Sequence, residues 1–238
     1  MAGRGFLKDV PPILDEKIKM LRNGRWQMMA EPINFDRPTS GISLATTFAS
    51  SWRLFHNQED DIGLIPCADG GTSLDDWSVE GALFQNAIFQ AKAAQKISTL
   101  SGILWHQGES DSHGQKYRSY TEKLSYIINT LREELNTPEI PLIVGGLGSF
   151  LTEGMYGQYF SEYSKINEAL VQYAKDNEHA YFVSAEGLTG ILSDEEQIMN
   201  KIHNRPLTKN EKYELLQYDF AMGLVSADEF QVQFAQLK

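Results

Sequence analysis

Two polar segments carry residue types and spacings that could do chemistry. The first is Ala68-Asp69-Gly70-Gly71-Thr72-Ser73-Leu74-Asp75-Asp76-Trp77. Paired glycines let a backbone turn sharply and bring its N–H groups close to a ligand. The segment reads either as a site loop, with the Gly70 N–H stabilising a developing oxyanion, or as a plain turn in which Ser73 or Asp75 caps the next helix. The second is Trp105-His106-Gln107-Gly108-Glu109-Ser110-Asp111. The side-chain amide of Gln107 can donate a hydrogen bond to an oxyanion. His106, Glu109, Asp111 and His113 admit a metal reading, but their spacing fits no zinc pattern, and no metal is expected. Gly108-Glu109-Ser110-Asp111-Ser112 half-matches the G-x-S-x-G nucleophile elbow and lacks its last glycine, which weighs against Ser110 as nucleophile. Cys67 sits inside an apolar run and reads as a buried small hydrophobe. His56 and His179 precede strands and fall on the far side of the sheet.

These segments need strands and helices to position them. Four apolar runs, 62–67, 102–105, 141–144 and 180–184, are too short for helices and show little alternation, which predicts strands buried on both faces. Helical spacing of apolar residues separates them at 83–100, 117–135 and 163–174. Alternating strands and helices imply βαβ units and a parallel sheet. In such sheets ligands bind beyond the carboxyl ends of strands, where both polar segments fall. After Leu188 the pattern changes. Ser193–Glu196, Thr208–Glu211 and Ser226–Glu229 each fit a capping box, so three short helices are expected over 194–238. In the last of them Phe230, Phe234 and Leu237 would pack on the main domain.

Composition narrows the function classes. The chain has 238 residues, 42% of them hydrophobic, enough for one sizeable core. Its formal net charge of −11 repels phosphate backbones and anionic lipid, so neither nucleic acid nor a membrane surface is an expected partner. One cysteine excludes an intrachain disulfide and fits a reducing compartment. With no apolar segment of signal-peptide or membrane-spanning type, a cytoplasmic location is expected.

Gly70-Gly71-Thr72-Ser73 and Trp105-His106-Gln107-Gly108-Glu109-Ser110-Asp111 resemble the second and third blocks of SGNH hydrolases, closest to the sialate O-acetylesterase and acetylxylan esterase group. Met1-Ala2-Gly3-Arg4-Gly5 is similar to the tail of that group's first block, Gly-Gln-Ser-Asn-Met-Ala-Gly-Arg. The stretch from Tyr181 to Thr189 resembles the strand entering its last block. The resemblance covers about residues 1–189. It implies a three-layer flavodoxin-like α/β fold with a parallel sheet, and hydrolysis of sugar acetyl esters by a serine, a histidine and an aspartate without a cofactor. Carried over, Gly70 and Gln107 are the oxyanion donors. Arg4, Trp77, Trp105 and Glu109 are the expected substrate-binding residues for an oligosaccharide or small-molecule acetyl ester, with Trp77, Trp105 and Glu109 holding a sugar by stacking and hydrogen bonds.

The chain departs from that pattern twice. The nucleophile serine would fall two residues before Met1, so it and the central strand preceding it are expected to be missing. After Thr189 no Asp-x-x-His loop follows. Asn200-Lys201-Ile202-His203 holds the only later histidine, and His203 is the remaining candidate base. The expectation is an incomplete esterase domain over 1–190 with a helical extension over 191–238. Such a chain either fails to turn over its ester or serves as a non-catalytic carbohydrate-binding protein. Beside these stands a third reading, a generic α/β scaffold whose added C-terminal helices make a partner contact.

Overall fold

The first ordered elements follow from a two-residue turn. Asn23 and Gly24 both adopt positive φ, 51° and 71°, the conformation of a tight hairpin turn whose twist matches its strands. They join β1, Ile18–Arg22, to an antiparallel β2, Arg25–Met28, with Arg22 opposite Arg25. A computed structural model describes residues 2–56, 59–152, 157–188 and 226–236, together with 213, 216, 217 and 220. Helix α1, Leu44–Phe55, is capped by Ser43, whose side chain accepts from the Ala45 N–H. β3, Ile62–Leu64, then pairs parallel to β1.

The rest of the domain alternates as expected. α2 spans Ala82–Ala94, β4 Ile103–Trp105, α3 Tyr120–Glu134, β5 Leu142–Gly145, α4 Tyr163–Asp176 and β6 Ala180–Val183. All four expected strands form, each close to its apolar run. The described strands make two three-stranded sheets, β2-β1-β3 and an all-parallel β4-β5-β6. Among the described residues β3 and β4 are each paired on one side only. Burial on both faces does not hold for β6, where Tyr181 and Val183 are each 55% exposed. Among the described residues it is the edge of its sheet, and its odd positions face outward.

The larger core cluster packs Leu124 and Ile128 of α3 and Leu170 and Tyr173 of α4 against Leu142 and Val144 of β5. A smaller one packs Ile18 and Met20 of β1 against Ala45 and Ala49 of α1, with Leu104 of β4 packed on its side. No described helix is long and apolar enough to cross a membrane. The capping box at Ser226 forms: Ser226 N and Oγ donate to Glu229 Oε2, and Glu229 N donates back to Ser226 Oγ, starting a helix at Ala227–Gln236. Phe230 and Phe234 stack on each other, and their rings also meet those of Phe220 and Tyr213 respectively. The boxes at Ser193 and Thr208, residue Leu237 and His203 lie outside the described residues.

Candidate active site

The chain leaving β3 and the chain leaving β4 come together through one buried amide. Gln107 Nε2 donates to the Thr72 carbonyl at 2.9 Å and to Asp111 Oδ2 at 2.6 Å. Asp111 Oδ2 also accepts from the Leu74 N–H at 3.0 Å. The Tyr120 hydroxyl, fully buried on α3, donates to the carbonyl and side-chain oxygen of Gln107. The two polar segments are therefore pinned to each other and to α3. Burial pushes the Asp111 carboxyl above its ordinary range, opposed by the Gln107 and Leu74 donors.

Gly70 lies at the other end of this arrangement. Its N–H donates to Asp36 Oδ2 at 2.8 Å, and the same oxygen accepts from Arg4 Nη2 at 2.5 Å. A Cβ at Gly70 would lie 2.1 Å from Arg4 Nη2, so a side chain here would displace the tip of the guanidinium from its present position. Burial raises the Asp36 carboxyl, but the Arg4 hydrogen bond, the Gly70 N–H and the nearby charge together hold it below the usual range. Arg37 extends the network, with Nη2 3.1 Å from Asp69 Oδ1 and 3.2 Å from the Gly70 carbonyl it donates to. Burial raises the Asp69 carboxyl against the pull of Arg37.

Arg4, Gly70 and Gln107 thus sit in one connected loop cluster, but in this geometry their donors are engaged. Gly70 faces a carboxylate oxygen, and both Gln107 amide hydrogens serve protein acceptors. Asp36 was not singled out by sequence reasoning. An acidic residue in Asn34-Phe35-Asp36-Arg37 carries no local signal, and only the fold brings it to Gly70.

Trp77 and Trp105 lie in the core, edge to face with centroids 5.5 Å apart, and are 8% and 7% exposed. Neither offers a sugar a face to stack on. The expectation that they do is corrected, because both indoles fill the space between α2, α3 and the sheet. Glu109 is partly exposed, 3.8 Å from His106 Nδ1. Burial lowers the His106 imidazole, and Glu109 opposes this.

The alternative readings of these loops also find their places. Ser73 N and Oγ both donate to Asp76 Oδ2, and the cap of α2 is Gly81, so neither Ser73 nor Asp75 caps that helix. Ser112 is buried and donates to the Gly108 carbonyl. Cys67 is partly buried against the larger core rather than fully inside it, and that burial pushes its thiol up to about 12. Among the described residues no three His, Cys, Asp or Glu side chains are grouped to hold a metal ion.

Comparison with known proteins follows the same outline. The family pattern described as "Carbohydrate esterase, sialic acid-specific acetylesterase" matches residues 1–204. The chain is 30% identical over 172 residues to "Probable carbohydrate esterase At4g34215" of Arabidopsis thaliana. That match takes in 63% of this chain and 65% of that relative, so the chain spans less than two thirds of its length. The solved structure of the Arabidopsis thaliana protein AT4G34215 is similar with a TM-score of 0.67 and 26% identity, over 78% of this chain and 74% of that one. NanS is similar in fold, with a TM-score of 0.59 and 17% identity over 80% and 75% of the two chains. So is XAC1771, described as a novel carbohydrate acetylesterase from Xanthomonas citri, with a TM-score of 0.53 and 16% identity over 71% and 42%.

Proposed function

Since this chain belongs to the carbohydrate esterase, sialic acid-specific acetylesterase family, we propose that its site is built for acetyl esters of sugars and that in this chain it binds the ester without turning it over. The observation that carries this reading is the Gly70 N–H holding Asp36 Oδ2 at 2.8 Å. An N–H that grips a carboxylate oxygen is placed to grip the oxyanion of a tetrahedral intermediate. The same observation supports binding over turnover. The donor is already saturated by an internal anion, and Gln107 would have to release Thr72 or Asp111 to serve as the second donor.

The geometry and the family support the following roles. Gly70 and Gln107 are the anion-binding donors, Arg4 orients Asp36 against Gly70, and Glu109 stands at the open side of the loop. Turnover of p-nitrophenyl acetate and calorimetry with an acetylated oligosaccharide test the proposal together. Binding heat at millimolar ligand with turnover no faster than buffer is expected. Turnover abolished by a serine-directed inhibitor overturns the inactive reading and keeps the esterase one. In that event Gln107→Ala should cut kcat by about 10²–10³. Neither heat nor turnover overturns both.

A further inference from the structure

The polar loops leave the carboxyl ends of β3 and β4. A second polar cluster lies at the opposite end, where β5 and β6 begin. Its centre is Arg132 of α3, which is 8% exposed. Arg132 Nη2 donates to the Ile140 carbonyl at 3.0 Å, ahead of β5, and to the His179 carbonyl at 3.1 Å, ahead of β6. Among the described residues no carboxylate pairs with it. The comparably buried Arg53 differs, with Asp15 Oδ2 at 2.7 Å from its Nε. Carbonyl dipoles solvate a guanidinium but do not neutralise it, and a buried charge is ordinarily paired.

Three donors of this cluster are buried without hydrogen-bond partners: the Arg132 Nε–H, the Tyr173 hydroxyl and the Thr137 hydroxyl. Thr137 belongs to the turn that Arg132 folds back on. Its N–H donates to the Arg132 carbonyl at 2.9 Å, and its own carbonyl accepts from the Ile140 N–H at 3.1 Å. Tyr173 comes from α4 and is fully buried. Burial raises its hydroxyl, and the Arg132 charge is near enough to oppose this. One positive charge and three unsatisfied donors thus meet in a region with no anionic acceptor. A neutral water could accept from the hydroxyls, but it would leave the charge uncompensated.

We propose that this end of the sheet binds one small monovalent anion of chloride size, held by Arg132 Nε, Tyr173 Oη and Thr137 Oγ1. The anion would tie α3 and α4 to the turn before β5, and it is independent of the ester site. Thermal unfolding of the intact protein in sodium chloride and in sodium gluconate at equal ionic strength separates binding from screening, because gluconate is too bulky for such a site. With chloride at several times its dissociation constant, Tm should be about 2–4 °C higher than in gluconate. Arg132→Gln should abolish the difference. Tyr173→Phe and Thr137→Val keep the packing and should each shrink it, so the test stands even if Arg132→Gln does not fold. In crystals grown with bromide, anomalous diffraction should place one ion within hydrogen-bonding distance of Arg132 Nε and Tyr173 Oη. Equal Tm in the two salts, a difference that survives the variants, or a water at this position that bromide does not replace overturns the proposal.

Discussion

Asp36 is the residue on which the loop cluster turns. Its side chain is 4% exposed and satisfies both the Gly70 N–H and the Arg4 guanidinium. Asp36→Ala strands both donors and should lower the unfolding free energy by about 1–3 kcal/mol in urea titration. Because its carboxyl is held low in the folded state, this contribution is complete above the ordinary value of ~3.9 and is lost as pH falls through the lowered one. The difference between the two proteins should shrink on acidification. Asp111 runs the other way, its carboxyl raised chiefly by burial. The folded state is penalised as pH rises from ~3.9 until the raised value is passed. Asp111→Asn keeps an oxygen for the Leu74 N–H and removes that penalty. The unaltered protein should therefore lose stability against the variant across that window, read by denaturant midpoints at stepped pH. Of the site, Gly70 and Gln107 were legible because they follow strands in recognisable blocks. Asp36 was not, since its contact with Gly70, 34 positions on, leaves no periodic trace.

At the scale of elements, the hairpin was signalled by Asn23-Gly24, the strongest short-range mark of a two-residue turn, yet the charged flanks hid its strands. Lys19 and Arg22 alternate with buried Ile18 and Met20, and the mixture reads as a solvated terminus. Gly24→Val forces a β-branched residue into positive φ and should cost about 1–2 kcal/mol, measured by thermal unfolding. α1 was illegible for a different reason. It buries Ala45, Thr46 and Ala49 and leaves Leu54 and Phe55 73% and 84% exposed, so its apolar residues mark the wrong face. The buried parallel strands and the helices over them were legible because their side chains obey the usual spacing.

At the scale of the whole molecule, the described strands fall into two half-sheets whose facing members, β3 and β4, each have one hydrogen-bonded neighbour. The halves are joined instead by side chains, Leu104 on the smaller cluster and Gln107 across the loops. Among the described residues neither facing edge has a strand partner, and such an edge is a template for another chain. The feature then becomes one of colloid chemistry. A formal charge of −11 keeps copies apart, but that repulsion is screened within about 10 Å at 0.1 M salt. Light scattering at fixed protein concentration should show association growing as sodium chloride is raised. If scattering is flat from low to high salt, charge is not what holds the copies apart. On this account the surface charge of the molecule is a dispersant for the strand edges of its two half-sheets.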